Sequence, residues 1–464
     1  MSKQSLRQSL AMDLRGGRGD KVTPHAGVAL LIETIRRAGV VAAADQCLPA
    51  KQSAKGLQHG EMVEALVLLS ALGGDCVDDL EHLRRDQGLA ALTGYRLPAA
   101  PTARQFLERF HDPDSVAARP LQGSFIPAET AGLAGLRSVV ERTVQAYVGV
   151  AAPERTVTLD VDAHIVVSSK QEALPTYKGE RGYQPLLVTW AETGLVLADE
   201  FRDGNVPAAV NIRTLVDQAY AALPPRPDGW VVRVRSDSAG YEQANLDHWA
   251  AQNWTFAVSA DMSVQLRAAV TVLPEAAWQT WTEARDGVVR EWAEVPYVPS
   301  RVAEAKDAQP YRYVAIRVRQ TQGRLFGDGT PVKHFAVVTN DWALEGQALL
   351  EWQRGKAGTI EHVNRIVVGE LAGGVYPSGK FGANAAWLRL QVITLNLLEI
   401  LKAVGLPPEL RKARPKRLRF AVFTQFGRVV EHARTRVLRV IMEAFEALLA
   451  PALGRLRRAR WPAC

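Results

Sequence analysis

Residues 156–169 read TVTLDVDAHIVVSS, and this alternation of apolar and polar residues predicts a β-strand. Asp160 and Asp162 lie two positions apart in the segment, so both carboxylates point to the same face of the sheet. A buried carboxylate on a central strand is costly unless it is paired or binds a cation. The segment therefore predicts the first strand of a sheet with an acidic site on one face.

The downstream sequence predicts how that sheet continues. Residues 183–205, YQPLLVTWAETGLVLADEFRDGN, read as a hairpin that turns at Glu192, Thr193 and Gly194. A helical pattern follows at 206–223, then the strand-like WVVRVRSDSAGY at 230–241, a helix at 241–252 and the strand TFAVSA at 255–260. The order β-β-β-α-β-α-β predicts an α/β fold in which helices flank a mixed sheet.

The segments on either side suggest further domains. Apolar residues recur at helix spacing between residues 24 and 148, whereas residues 261–341 contain short strand-like pieces with Trp278, Trp281 and Trp292 as a small core of their own. Residues 1 to about 21 read as a frayed polar arm. We predict an all-α domain (1–150), the first part of the core (151–260), an all-β insertion (261–345), the second part of the core (346–405) and a basic helical tail (406–464).

Composition and cysteine content exclude several classes of protein. The 464 residues are 47% hydrophobic and 23% charged, as in folded soluble proteins. Cys47, Cys76 and Cys464 are far apart, which excludes a disulfide scaffold and a zinc ribbon. The apolar stretch at 387–406 carries three charged residues and fits a buried helix better than a membrane span. We expect a cytoplasmic protein without a membrane partner.

Positive charge is concentrated at the C-terminus. Residues 411–464 contain 14 Lys and Arg against three Asp and Glu, which gives this tail a charge of +11. The rest of the chain has a charge of −4, and the net charge is +7. Such a block attracts nucleic-acid phosphates by Coulomb attraction and counterion release. A solvated basic face would have the same composition, so charge alone favours nucleic-acid contact only slightly.

Two further carboxylates are candidates to join the first strand. Asp237 ends a strand and precedes Ser-Ala-Gly, which exposes it at a sheet edge where α/β folds place their sites. Glu361 is predicted in the first turn of a helix capped by Thr359. Oxygen ligands with vacant positions suit Mg²⁺, and two such ions can promote an in-line phosphodiester displacement.

A second acidic stretch, GGDCVDDLEHLRRD, has a simpler explanation. It contains Asp75, Asp78, Asp79 and Glu81, which could suggest a metal site. We interpret Asp75 as a helix N-cap followed by acidic residues that the helix dipole favours in the first turn.

Several long motifs resemble the RNase H-like core of DDE transposases, and among them the insertion-sequence transposases of the thirteen-eighty family. The matching segments span about residues 60–420: HGEMVEALVLLSALGGDCVDDLEHLR, LDVDA, YKGERGYQPLLV, VRSDSAGY, RGKAGTIEHVNR, GELAGGVYPSGKFGANAAW and LRKARPKRLRF. This resemblance implies that Asp162, Asp237 and Glu361 are the three catalytic, metal-binding acids. It implies two Mg²⁺ ions, for which Mn²⁺ can substitute. Asp160 is the reserve acid, with hydrogen bonding inside the sheet as its simpler role.

The same resemblance implies a function and a set of DNA contacts. The protein would be a bacterial transposase that cuts and joins double-stranded DNA at terminal inverted repeats and a target, acting as a dimer or larger assembly close to the nucleoid. The alternatives are an RNase H-like nuclease or resolvase, and an inactive DNA-binding derivative. Related families often have Ser or Thr where this chain has Ala163, and Lys where it has Val368. Candidate DNA-binding residues are Lys178, Arg181, Arg354, Lys356, Arg365, Lys380, Arg411, Lys412, Arg414, Lys416, Arg417 and Arg419.

Overall fold

The computed structural model describes residues 21–51, 55–120, 122–285, 288–304, 310–320, 325–327, 329–432 and 435–463. The polar arm predicted at residues 1 to about 21 lies almost entirely outside these ranges, and Cys464 lies outside them too.

The N-terminal region is helical, as its apolar spacing predicts. Its described helices are α1 (Ala29–Arg37), α2 (Val40–Cys47), α3 (His59–Leu72), α4 (Leu80–Leu83), α5 (Gln87–Thr93), α6 (Ala100–Glu108), α7 (Pro113–Ala117) and α8 (Ala131–Ala151). The 3₁₀ turn Val77–Asp79 follows Cys76, and the Asp79 carboxylate accepts the backbone N–H groups of Asp75 at 3.0 Å and Cys76 at 3.3 Å. Asp79, and not Asp75 as predicted, therefore satisfies the free N–H groups before this turn.

In the described part of the chain, nine strands form one mixed sheet. They are β1 (Thr156–Ala163), β2 (Leu186–Trp190), β3 (Leu195–Glu200), β4 (Val231–Ser236), β5 (Thr255–Ala260), β6 (Gln279–Arg285), β7 (Val288–Val295), β8 (Arg312–Gln320) and β9 (Val332–Thr339). Their order across the sheet is β6-β7-β8-β9-β5-β4-β1-β2-β3.

The predicted strand order of the first half of the sheet is confirmed. Strands β1, β2 and β3 pair antiparallel, and Gly194 closes the β2–β3 turn with a positive φ of 76°. Strand β4 follows helix α9 (Ile212–Ala221) and pairs in parallel with β1. Strand β5 follows helix α10 (Gln243–Ala251) and pairs in parallel with β4. Helices therefore flank a mixed sheet, as the order β-β-β-α-β-α-β requires.

The predicted β insertion does not form a sheet of its own. Strand β9 pairs with β5, so β6 to β9 extend the central sheet as an antiparallel meander. The helices α11 (Val264–Thr271) and α12 (Ser300–Ala303) lie in the same stretch of chain. Trp281 and Trp292 share a small core with Leu349 and Leu350, whereas Trp278 packs at the edge of the main sheet core. The edge strand of a sheet has unpaired backbone N–H and C=O groups that readily pair with a further strand, which explains why these strands join the existing sheet.

The region after the sheet returns to helices. These are α13 (Gly346–Arg354), α14 (Lys356–Arg365), α15 (Phe381–Ile400), α16 (Pro415–Leu418), α17 (Met442–Ala444) and α18 (Ala450–Arg458), with π-helical turns at Ile366–Glu370, Leu401–Gly405, Arg419–Phe423 and Phe445–Leu449. Helix α15 is almost wholly buried and shares one hydrophobic core with the N-terminal helices. The N-terminal helices thus pack against α15 and have no separate core.

The predicted helical tail contains a β-hairpin. Strands β10 (Gly427–His432) and β11 (Thr435–Val440) pair antiparallel, and Val22–Thr23 pairs with β10. A second small sheet joins Val166–Val167, Leu174–Pro175 and Arg181–Tyr183. Among the described helices, none is long and apolar enough to cross a membrane.

Candidate active site at the ends of strands β1 and β4

Two of the predicted acids lie at the carboxyl ends of neighbouring parallel strands. Val161 of β1 pairs with Ser236 of β4, so Asp162 and Asp237 occupy the next position along each strand. Because neighbouring strands are about 4.8 Å apart, the two backbones are adjacent. The Asp162 side chain is 16% exposed, and Asp237 is exposed beyond the last residue of β4. Open α/β sheets place ligand sites at this edge.

Asp160 is fully buried below Asp162 and is neutralised by an arginine. Arg235 donates from Nε to one carboxylate oxygen at 2.6 Å and from Nη2 to the other at 2.8 Å. The Thr359 hydroxyl of α14 also donates to Asp160. Burial raises the pKa of the Asp160 carboxyl, and the Arg235 guanidinium opposes this effect. This bidentate, hydrogen-bonded pair occupies both carboxylate oxygens, as expected of a structural ion pair.

Asp162 has a different environment two residues further along the same strand. The Lys356 ammonium lies 2.9 Å from Oδ1, and the Asn364 amide nitrogen lies 2.9 Å from Oδ2. Both partners come from α14, whose face towards β1 also carries Ile360 and Val363. Each carboxylate oxygen has one partner and therefore keeps a second lone pair for another ligand.

The junction between α13 and α14 depends on a glycine. A Cβ at Gly355 would lie 2.7 Å from Nη1 of Arg235, closer than side chains tolerate. Arg235 uses this space to donate to the carbonyl of Trp352 at 2.5 Å while it holds Asp160. Gly355 therefore lets the start of α14 approach the sheet closely enough for Lys356 and Thr359 to reach β1.

Glu361 lies on α14 but is exposed. It follows Lys356 by five residues, which places it about 140° around the helix. The helix begins at Lys356, so Glu361 is in its second turn, and Thr359 bonds Asp160 instead of capping the helix. Both corrections arise because the helix starts four residues earlier than predicted, at Lys356 and not at Ile360.

The carboxylates of the three predicted acids do not converge to form a three-ligand cluster. Among the described residues, the ligand atoms of three acidic, His or Cys side chains lie within 4.8 Å of one another only at Asp75, Cys76 and Asp79. The backbone N–H groups already bound by Asp79 explain that cluster as a turn cap. The geometry therefore brings Asp162 and Asp237 together on the sheet, with Glu361 on the covering helix and turned towards solvent.

The donor atoms next to Asp162 suit a hard divalent cation. Asp162 and Asp237 supply carboxylate oxygens, and the Asn364 amide oxygen is buried without a hydrogen-bond partner in the described structure. Carboxylate and amide oxygens are ligands that Mg²⁺ accepts. The residues present thus fit the implied metal in chemistry, and Lys356 now supplies the positive charge at Asp162.

Several basic residues predicted to contact DNA are engaged inside the protein. Arg419 donates to the carbonyls of Ser70 at 2.8 Å and Ala71 at 2.9 Å, and burial lowers its pKa. Arg181 donates to the carbonyl of Ala173 at 2.7 Å. These contacts give Arg419 and Arg181 structural roles, because leaving the carbonyls would cost their hydrogen bonds.

Other predicted DNA contacts remain on the surface. Lys380 pairs with Glu108 at 3.1 Å, and Arg414 pairs with Glu370. The remaining basic residues of the predicted set outside the site are exposed and available to a polyanion: Lys178, Arg354, Arg365, Arg411, Lys412, Lys416 and Arg417.

Three residues that organise the site are absent from the sequence-based set. Arg235 lies two positions before Asp237, so strand alternation placed it on the same face as the acids and could have identified it. Thr359 and Asn364 gave no comparable signal, because their approach to β1 depends on where α14 begins and how it packs.

Comparisons with known proteins identify the family of the chain. A family model described as transposase DDE domain group 1 matches residues 6–461, so the chain belongs to this family. Among solved structures, the chain is similar to a piggyBac transposase in a cryo-EM structure of its synaptic complex with hairpin DNA. That similarity has 8% sequence identity and a TM-score of 0.40, and covers 82% of this chain and 75% of the other. The search of curated proteins gave no match.

Proposed function

We propose that this DDE transposase cleaves DNA at the ends of an insertion sequence of the thirteen-eighty family and joins them to target DNA. The observation that carries the proposal is the adjacency of Asp162 and Asp237 at the carboxyl ends of β1 and β4. Membership of a transposase DDE family supports it across nearly the whole chain.

Within this proposal, Asp162, Asp237 and Glu361 hold two Mg²⁺ ions, and Mn²⁺ can replace them. When bound, these ions activate a water or a 3′-hydroxyl and stabilise the departing oxygen of an in-line displacement. For this role Glu361 must turn from solvent towards Asp162, and its position about 140° from Lys356 around α14 means that the helix itself must move. Asp160 remains bound to Arg235 and supports the strand beneath the site.

Lys356 and Asn364 have positioning roles in the proposal. Both hold the Asp162 carboxylate from α14 at 2.9 Å. With the Asp162 carboxylate holding a cation, the Lys356 ammonium would be free to pair with a DNA phosphate.

The partners follow from the family and the charge distribution. We propose that the N-terminal helices bind the terminal inverted repeats and that the exposed basic residues of the tail follow the DNA backbone. Both ends of the element must be held together, so the active form contains at least two copies. A bacterial cytoplasm, at the nucleoid, is the expected location.

Strand cleavage and strand transfer test the proposal directly. The substrate is a linear duplex carrying the inverted repeats that flank the coding region, with Mg²⁺ present. Asp162→Asn should abolish both reactions, and Asp228→Asn, an exposed loop residue, should leave them unchanged. Cleavage that Asp162→Asn does not reduce would overturn the proposed site.

A second substrate separates the alternatives. A pre-cut end with a free 3′-hydroxyl should be joined to target DNA by a transposase. A nuclease or resolvase on the same core would hydrolyse DNA but not join this end. An inactive derivative would bind the repeats and do neither.

A further inference from the structure

An open groove begins at Asp237 and runs away from the site described above. It has a volume of about 590 Å³ and is lined by the residues that follow β4 and β5, by residues of β5, β7, β8 and β9, by Phe326 and by the end of α13. The groove therefore crosses from the proposed catalytic edge to the extension of the sheet.

Strand register places the groove on the same face of the sheet as Asp160 and Asp162. Asp160 pairs with Arg235, Arg235 with Ala257, and two residues further on Ser259 pairs with Val337. Along the extension the same face continues through Phe335 opposite Ile316 and Val318 opposite Arg290, as its register shows. Helix α13 covers part of this face through Leu349 and Leu350 and ends at Arg354, where the groove is open.

The groove gathers cations next to the proposed active site. Arg290, Lys333 and Arg354 line it, and among the described residues neither Arg290 nor Arg354 forms an ion pair. The Arg354 guanidinium lies over the Trp281 ring at 4.8 Å, and burial together with the charge of Arg290 lowers its pKa. Asp237 and Asp261 line the same groove at its catalytic end, but two arginines held close together without an ion pair of their own favour binding of an anion.

An aromatic surface accompanies these cations. Phe335 is 50% exposed and lines the groove, as does Phe326, whose ring lies 5.0 Å from the Lys333 ammonium. Exposed aromatic rings beside a basic groove are typical of single-strand nucleic-acid binding, because an unpaired base can stack on the ring. In a duplex, neighbouring base pairs cover those faces.

We propose that this groove binds a short single-stranded stretch of DNA, with its phosphates at Arg290 and Arg354 and a base face on Phe335. The proposal rests on the proposed function, since it places a separated DNA strand beside Asp237. The four strands β5, β9, β8 and β7 make up the groove floor, a width of about 14 Å at about 4.8 Å per spacing. At about 3.4 Å or more per nucleotide, that width corresponds to roughly two to four nucleotides.

Binding of a labelled oligonucleotide tests the groove separately from catalysis. The probe is a fluorescein-labelled oligothymidylate of about ten nucleotides, titrated by fluorescence anisotropy with the full chain in EDTA. For Arg290→Gln with Arg354→Gln, we expect at least about 10-fold weaker binding at about 0.1 M salt. The slope of log K against log salt should fall by about 1.4, or 0.7 for each lost phosphate contact. Arg213→Gln, on the exposed side of α9, is the matched control and should change neither.

A second substitution tests the aromatic surface. Phe335→Ala should weaken binding about 10-fold, within the range for loss of one base stack, without changing the salt slope. Its control is Val264→Ala, an apolar residue that is 83% exposed on α11. If the double arginine variant does not fold, Arg290→Gln alone should give half of the slope change.

The competing outcomes are distinct. Unchanged affinity and slope in the arginine variants would overturn the groove as the binding site. Equal binding of a duplex or of an RNA oligomer would overturn the assignment to single-stranded DNA. Asp162→Asn should bind the oligonucleotide normally in EDTA, so failed cleavage and a failed groove can be told apart.

Discussion

Asp160 and Asp162 lie on the same face of β1, but their surroundings differ. Asp160 is fully buried, and Arg235 and Thr359 occupy both its oxygens. Asp162 is partly exposed and is held by single contacts from Lys356 and Asn364. The planar guanidinium of Arg235 holds both carboxylate oxygens of Asp160 in a fixed geometry, whereas the flexible Lys356 side chain can move its ammonium away from Asp162. The contrast supports the proposed roles, in which the inner acid, Asp160, maintains the fold and the outer acid, Asp162, holds the metal.

The largest expected effect is on catalysis at the outer acid. Asp162→Asn should reduce DNA cleavage by at least about 10³-fold, because a neutral amide cannot replace a metal-binding carboxylate. The measurement is the rate of strand cleavage on the repeat-bearing duplex, with circular dichroism to confirm folding. Normal folding with lost cleavage supports the contrast, and normal cleavage would remove it.

The next largest effect is on stability at the inner acid. Asp160→Asn should lower the free energy of unfolding by about 3–5 kcal/mol, because Arg235 would be left as an unpaired buried charge. Urea denaturation followed by tryptophan fluorescence measures the change. The combined variant Asp160→Leu with Arg235→Met removes both charges and should lose less stability than the single variant. A larger loss in the combined variant would show that the ion pair itself is favourable.

A smaller effect is expected on metal affinity. Lys356→Met should tighten Mn²⁺ binding about 10-fold, a change of about 1.4 kcal/mol, because the ammonium no longer competes for Asp162. Electron paramagnetic resonance titration of Mn²⁺ measures free ion without requiring activity. Lys380→Met, which breaks the exposed pair with Glu108, should leave the affinity unchanged. Unchanged or weaker binding in Lys356→Met would contradict competition at Asp162.

The smallest effect concerns the hydroxyl that links α14 to the inner acid. Thr359→Val keeps the shape of the side chain and should lower the free energy of unfolding by about 1 kcal/mol. Cleavage by the folded protein should change little, since Asp162 keeps both of its partners. A loss of cleavage as large as that of Asp162→Asn would show that the two acids act as one unit.

The alternating pattern of residues 156–169 was sufficient to predict β1 and the shared face of Asp160 and Asp162. The order of strands and helices through β5 could also be predicted, because consecutive elements usually pack next to one another and crossovers between parallel strands are right-handed. The structure of the insertion and of the tail was harder to predict. Strands β6 to β9 could equally have formed their own sheet, and β10 and β11 contain arginines at spacings that also suit a helix.

The sequence by itself determined which acids share a strand face and where the basic residues are concentrated, because these follow from local periodicity and composition. Only the tertiary structure decided which partner each acid receives. Lys356, Thr359 and Arg235 meet β1 because Gly355 admits the guanidinium beneath the helix junction, a close approach between segments more than 100 residues apart. Contacts of this kind depend on packing across the whole chain, so they cannot be predicted from local sequence patterns.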